Sequence, residues 1–311
     1  MCRAALAAVM LAIAARGFQC VQRRVVQTRL LATPSQKSMA STFRAGLLYA
    51  DNHVLCLNKP AGMLSQLDRT GDASVNEYAL AWLGEERNTK FAAAVHRLDR
   101  PVSGCLLVAA SSKAAKRLSK SLADGKVEKR YLAVVAPRGD GFRVGDARYF
   151  VDGLRTVDGG SSAKKVELMP LASLARQPSP ADLASYAKKL KPGFKVASTR
   201  YEVLAAARGE ALVAVTLQAT GRRHQIRAAL GQRGAAIVGD AKYGPRPSGT
   251  SARATTPAIA FHAASLVAPH PVADKPAIAV AAPIPDAWRD AHAPDLARAA
   301  DAFLAEVAGP G

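Results

Sequence analysis

From residue 46 the chain breaks into short apolar runs separated by turn residues. GLLYADNHVLCLNKPAG (46–62) predicts two strands with a turn at Asp51-Asn52, after which Lys59-Pro60-Ala61-Gly62 interrupts regular structure. SVNEYALAWL (74–83) predicts a helix: Ser74 precedes the periodic residues and Glu77 follows three positions later, the pairing of a capping box. CLLVAA (105–110) is an unbroken apolar run of strand length and predicts a buried strand. KAAKRLSKSLADG (113–125) returns to helical spacing, capped by Ser111 or Ser112 and stopped by Gly125. VEKRYLAVVA (127–136) is again strand-like, with Tyr131 at its middle.

The pattern weakens between 137 and 196. RGDGFRVGD and DGGSS read as turns, and RQPSPADLASYAKKLKPG (176–193) predicts a helix inserted between proline-marked loops. STRYEVLAAA (198–207) and ALVAVTLQA (211–219) then predict a hairpin around Arg208-Gly209-Glu210. Thr220-Gly221 is expected to open a short helix over RRHQIRAAL (222–230), followed by GAAIVGDAKYG (234–244). FHAASLVAPHP (261–271) adds one more strand and DLARAADAFLAEVA (295–308) a terminal amphipathic helix. No repeat is visible, and strands and helices mix without strict alternation. That pattern predicts an α+β fold around one mixed sheet.

Composition refines this picture. In 311 residues, 49% are hydrophobic, enough for a sizeable core. Lys and Arg total 43 against 24 Asp and Glu, a net charge of +19 that points to a polyanionic partner. Residues 1–50 carry seven basic residues (Arg3, Arg16, Arg23, Arg24, Arg29, Lys37 and Arg44) and no acidic one. Removing those seven charges from +19 leaves +12, so the remainder is basic in its own right. An acid-free start rich in Arg, Ala and Ser has the composition of an organellar transit peptide, expected over 1–40. Its apolar run at 5–15 is too short to span a membrane and suits a mitochondrial or a plastid address. No membrane association is expected of the mature chain. The four cysteines, Cys2, Cys20, Cys56 and Cys105, form no CxxC pair and read as buried thiols.

Several chemistries are excluded by their missing signatures: there is no phosphate loop with Lys-Ser/Thr, no GxGxxG after a strand, no HExxH and no GxSxG. Nothing asks for a nucleotide cofactor or a metal. What stands out is HRLDRPVSG (96–104), which places His96, Arg97, Asp99 and Arg100 directly before a buried strand. A carboxylate there is either an ion-pair partner or a reactive group held ionised by its neighbours. Tyr131 in EKRYL and the basic GRRHQIR (221–227) are the other candidates.

Taken in order, HRLDRPVSGCLLVA, KRYLAVV, GRRHQIRAAL and GDAKYG resemble the motifs of the RluA-type RNA pseudouridine synthases. NKPAGMLSQ, ASTRY (197–201) and FHAASLVAPHP extend the resemblance over roughly residues 46–285. It implies the pseudouridine synthase fold, one mixed, largely antiparallel β-sheet with flanking helices and loops, and isomerisation of uridine in RNA without cofactor or metal. It implies Asp99 as the catalytic aspartate, Tyr131 as the aromatic against the base and Arg227 as the basic partner of Asp99. The aspartate can attack the sugar or remove a proton beside it, and the motifs do not choose between these routes. Arg227 is needed because burial raises a carboxylate's pKa while an adjacent arginine lowers it.

His96, Arg97, Arg100, Arg222, Arg223, Lys242 and the helical stripe Lys113, Lys116 and Lys120 are expected RNA contacts; for His96 a structural hydrogen bond is the favoured use. A lysine stripe of this kind is more often a solvated face. The expected organisation is a leader over 1–40, a catalytic domain over 45–290 with an insertion around 170–193, and a C-terminal helix or tail over 291–311, acting as a monomer. Pro101 and Val102 depart from the small residue and Thr of many members, the 138–196 stretch is longer than usual, and no S4-type RNA-binding module is recognisable. The rival reading is an RNA-folding protein that keeps the fold without catalysis.

Overall fold

A computed structural model of the chain describes residues 34–139, 142–157, 165–217, 221–244 and 258–308. Residues 1–33 of the expected leader, with the apolar run at 5–15, and the DGGSS turn lie outside the described residues. Ser35–Gly311 forms one unit.

Twelve strands among the described residues make a single sheet in the order β1-β2-β4-β11-β5-β9-β8-β6-β7, with β3, β10 and β12 pairing to β4, β5 and β11. In chain order these are β1 Leu47–Ala50, β2 Val54–Lys59, β3 Ala93–Ala94, β4 Ser103–Ala109, β5 Glu128–Pro137 and β6 Ala147–Val157. They continue as β7 Lys165–Leu174, β8 Lys195–Ala207, β9 Glu210–Leu217, β10 Ala235–Ile237, β11 Phe261–Ala268 and β12 Ile278–Ala281. The helices are α1 Gln36–Ala45, α2 Val75–Arg87, α3 Ser112–Ala123, α4 Pro180–Lys188, α5 Gln225–Gln232, α6 Asp286–Ala291 and α7 Pro294–Ala308. Every pairing is antiparallel except β4 with β11. The fold is therefore α+β with a mixed, largely antiparallel sheet.

Alternation along β2 and β4 defines two faces. Leu55, Leu57, Leu106 and Val108 point to the front, where α1 and α2 bring Phe43, Val75 and Leu83. Cys56, Cys105, Leu107 and Ala109 point to the back, against Ala114 and Leu118 of α3. The register carries the front face across the sheet: Phe261 lies opposite Ala133, and Tyr131 opposite Val215. Helix α5 packs on that same face, with Ala228 beside Leu154, Val166 and Ala197. Helices α6 and α7 close the back, where the Trp288 ring meets His262 at 6.0 Å. Gly104 is demanded by the parallel pair: its φ is +107°, and a Cβ there would stand 2.2 Å from the carbonyl oxygen of Ala263.

Most expected elements are present, including the Ser74/Glu77 capping box and the Ser111 cap of α3. The hairpin turns through Arg208 and Gly209, both at positive φ. Three expectations need correction. The boundary at residue 40 falls inside α1, whose Ala40 and Phe43 are buried, the latter against Trp82. Strands β6 and β7 occupy much of the weakly patterned stretch. Asp152 and Gly153 break the alternation in β6, and Pro170 sits beside an irregularity in the β6–β7 register. Helix α5 begins at Gln225, because His224 takes a left-handed conformation that ends the preceding loop. The expected C-terminal helix is present as α7, with Leu296, Ala300 and Leu304 buried in the main core. No helix among the described residues is long and apolar enough to cross a membrane.

Candidate active site

HRLDRPVSG is the loop from β3 into β4, and buried hydrogen bonds fix its shape. The Ser65 hydroxyl donates to the Leu98 carbonyl at 2.8 Å and accepts from the Leu98 N–H at 3.0 Å. Lys59 is fully buried, and its Nζ donates to the carbonyls of Pro60, Met63 and Arg100 at 2.9, 3.0 and 3.4 Å. Burial pushes its ammonium down to about 7, partly opposed by the charge of Asp99. Val102 N–H donates to the Asp99 carbonyl at 3.0 Å and closes the turn. The NKPAG loop thus holds the HRLDRPVSG loop by its backbone and leaves the Asp99 side chain to the pocket.

That side chain is 21% exposed. Its Oδ2 accepts from Arg227 Nη1 at 2.7 Å and lies 3.5 Å from His224 Nε2. Arg227, on α5, gives its remaining fork to Asp240, with Nε to Oδ2 at 2.7 Å and Nη2 to Oδ1 at 2.8 Å. Asp240 is almost fully buried and also accepts from the N–H groups of Lys242 and Tyr243. Burial alone would lower the pKa of Arg227, but the two carboxylates outweigh it and raise the value above the ordinary one. Burial likewise raises the Asp240 carboxyl, and Arg227 with the two N–H groups overcomes this and holds it low. The guanidinium is permanently charged and shared between a structural carboxylate and an accessible one.

Tyr131 stacks on Phe261, with centroids 5.3 Å apart and planes inclined by 28°. Its hydroxyl has no hydrogen-bond partner among the described residues. Burial, followed by the nearby Asp99 charge, raises the phenol's pKa well above 10, so it stays protonated. The ring is therefore a stacking wall with a hydroxyl donor, and removal of a C5 proton by a phenolate is disfavoured. Asp99, Tyr131, Arg227, Arg97 and Arg222 line one pocket on the front face, walled by Val102, Leu217 and Phe261. This assembles the expected trio from three separate stretches of chain.

The expected RNA contacts divide. Arg97 is exposed at the pocket mouth, and Arg223 is exposed beyond it. Arg222 anchors its Nε on the Val196 carbonyl at 3.0 Å, while its side chain borders the pocket. Lys242 lies in the same field, near Arg227 and Arg223. Arg100 is a strut: its Nε donates to Gly62 O at 3.0 Å and its Nη2 pairs with Asp72 at 2.7 Å. His96 makes a structural hydrogen bond, the use favoured for it over an RNA contact. Its Nε2 accepts from the Leu107 N–H at 3.1 Å, and burial, with Lys129 adding to it, pushes the imidazole down to about 3. Lys113, Lys116 and Lys120 are exposed on α3, which covers the back of the sheet, away from the pocket. Lys120 also pairs with Asp124.

Sequence reasoning missed Lys59, His224, Asp240, Tyr243 and Phe261 as site residues. Each stands in a motif already singled out: NKPAG, RRHQIR, GDAKYG or FHAAS. Single-chain spacing gives no sign that these four loops and strand ends converge.

The residues at 53–232 match the family model described as RNA pseudouridylate synthase. The tRNA pseudouridine synthase C of Haemophilus ducreyi is 35% identical over 208 residues, 64% of this chain and 73% of that protein. The tRNA pseudouridine synthase C of Yersinia pestis is 32% identical over 234 residues, 73% of this chain and 81% of that one. The solved structure of human RNA pseudouridylate synthase domain containing 4 superposes with a TM-score of 0.59. It is 18% identical, covering 81% of this chain and 94% of its own. An arginine shared between a buried and an accessible carboxylate, beside a stacked tyrosine, thus stands where the family match falls, and the chain belongs to the RluA-type RNA pseudouridine synthases, which isomerise uridine to pseudouridine in RNA.

Proposed function

We propose that this chain acts on structured organellar RNA, transfer or ribosomal, with Asp99 as the reacting group and without a cofactor. The observation that carries the reading is the partly exposed Asp99 carboxylate, held by Arg227 in the pocket that the stacked Tyr131 also lines. The names of the curated relatives favour transfer RNA among these substrates. The address is proposed from the acid-free, Arg-rich leader, mitochondrion or plastid.

The reaction breaks the bond from C1′ to N1, joins C1′ to C5, and moves a proton from C5 to N1 overall. Nothing is gained or lost, so an isomerase needs only to hold the detached base in place. A uridine in a stem must first leave its stack, at a cost of a few kcal/mol. Arg97 at the mouth is placed to meet the opened strand, and Tyr131 to receive the base. Asp99 then either bonds to C1′ and is later displaced by C5, or takes a proton from the neighbouring carbon and returns it. Both routes need a carboxylate, and Arg227 Nη1 donates to Asp99 Oδ2 at 2.7 Å.

The test uses the full chain, wild type beside Asp99→Asn, incubated with unmodified organellar RNA and mapped for pseudouridine at single-nucleotide resolution. Wild type should place pseudouridine at specific uridines while the variant loses about 10⁴-fold or more of the rate. Equal modification by both would remove Asp99 from the mechanism. Binding without modification by either would favour the RNA-folding reading.

A further inference from the structure

We propose that His224, oriented by Tyr243, is a second positioning donor to Asp99, so that Oδ2 is held by the protein and Oδ1 is the oxygen that engages the ribose. The inference rests on the assignment of Asp99 as the reacting group.

Tyr243 fixes the state of the ring. Its hydroxyl oxygen accepts from the Val166 N–H at 3.1 Å and lies 2.8 Å from His224 Nδ1. Two proton arrangements fit the second contact. If Nδ1 carried the hydrogen, the Tyr243 oxygen would accept twice and its own hydrogen would have no acceptor among the described residues. Nε2 would then present a bare lone pair to Asp99 Oδ2, 3.5 Å away. If Tyr243 donates to Nδ1 instead, every group is matched: the hydroxyl accepts once and donates once, and Nε2–H faces the carboxylate. Geometry at both ends of the ring selects the same tautomer.

The ring has little freedom to choose otherwise. His224 sits at φ 51°, directly before α5, and Tyr243 meets it edge-on at 5.6 Å and 80°. The Arg227 guanidinium lies over the Tyr243 ring at 5.4 Å, and Asp240 accepts from the Tyr243 N–H at 3.3 Å. Arg227, Asp240 and Tyr243 therefore brace one another around the imidazole. Burial pushes the His224 ring down to about 4, with Asp99 opposing, so it is neutral at neutral pH. A neutral Nε2–H adds no charge that would pin the carboxylate as a plain ion pair.

The consequence lies at Asp99. Arg227 Nη1 and His224 Nε2 both approach Oδ2, and Oδ1 has no protein donor among the described residues. A separation of 3.5 Å is long for a hydrogen bond, and such contacts tighten when substrate fills the site. With Oδ2 held from two directions, the carboxylate plane is fixed and Oδ1 is the free nucleophilic or basic atom.

The test has two readouts. The first needs no RNA: a long-range ¹H–¹⁵N correlation spectrum of the full chain, labelled at histidine, reports which ring nitrogen of His224 carries the hydrogen. Nε2–H in wild type and a shift towards mixed tautomers in Tyr243→Phe are expected; Nδ1–H in wild type overturns the proposal. The second is single-turnover pseudouridine formation. Tyr243→Phe and His224→Asn should slow it about tenfold to a hundredfold with KM changed less than about twofold, while His224→Gln, which keeps a donor near the Nε2 position, should recover most of the rate. Loss in His224→Gln equal to that in His224→Asn, or an unchanged rate in Tyr243→Phe, would also overturn it. A wild type that modifies no RNA counts against the functional reading alone, and the spectrum still decides the tautomer.

Discussion

Arg227 on helix α5 and Arg233 at its C-cap both pair with buried carboxylates, and the contrast between them separates a closed ion pair from one shared with the pocket. Arg233 gives its fork to Asp152 at 2.7 and 3.3 Å and stacks over Phe150 at 3.7 Å. Asp152 is buried, and burial raises its carboxyl against the opposing pull of Arg233. That pair is closed, because each charge is satisfied by the other and nothing faces the pocket. Arg227 makes an equally good fork to Asp240 and then spends one more donor on Asp99. The extra carboxylate is the exposed one. A buried arginine–aspartate pair alone says little about function; a third group, held at one oxygen and open at the other, is what the proposed reaction would use.

The comparison can be broken most decisively by substituting the arginines. Arg227→Met and Arg233→Met each strand a buried carboxylate, and each should cost about 3–5 kcal/mol of stability in urea unfolding. Only Arg227→Met should also lower the rate per folded molecule, by about a hundredfold. Comparable rate losses in both would make the Asp99 contact incidental. Next, replacing the fork carboxylates sharpens the point. Asp152→Asn should leave turnover within about threefold, whereas Asp240→Asn should lower it about tenfold by freeing Arg227 to tilt.

A smaller effect comes from pH. Burial holds His96, His224 and His262 at about 3, 4 and 4, below the ordinary 6.5. Between pH 6.5 and 4 the unfolded chain therefore binds protons that the native chain does not. Stability present above pH 6.5 should fall on acidification, with up to about 1.4 kcal/mol per pH unit from each histidine. Urea midpoints from pH 7 to 4.5 should show this, and His262→Asn should reduce the slope by one proton. A flat profile would mean these rings are charged in the fold. The smallest effect concerns α3. Lys113→Glu with Lys116→Glu should change RNA affinity less than about twofold, while Arg97→Glu or Arg223→Glu should weaken it and reduce the salt slope by roughly 0.7–0.9 per lost phosphate contact. Equal losses would place RNA on both faces of the sheet.

Much of the site could be read from the chain, and the pattern of misses is physical. Asp99, Tyr131 and Arg227 stand in short motifs whose residue types announce charge beside apolar strands, and the structure brings them together. Lys113, Lys116 and Lys120 were legible as a stripe, but periodicity shows only that residues share a helix face, never which side of a sheet the helix covers. His96 and Arg100 read as basic residues near Asp99. Their partners, the Leu107 N–H and the Gly62 carbonyl, are backbone atoms, which leave no trace in side-chain pattern. Strands β6 and β7 were lost because a buried ion pair at Asp152, the glycine at 153 and a bulge beside Pro170 disrupt alternation.

By itself the sequence determined most element types and the mixed sheet, because these follow from hydrophobic period, and its resemblance to the family pointed to the three groups that meet at the pocket. Only the tertiary structure decided that Arg227 is shared, that His224 and Asp240 belong to the site, and which basic residues face it. Those depend on contacts between residues 13 to 128 positions apart, or on the side of the sheet a helix packs against, and no local pattern encodes either.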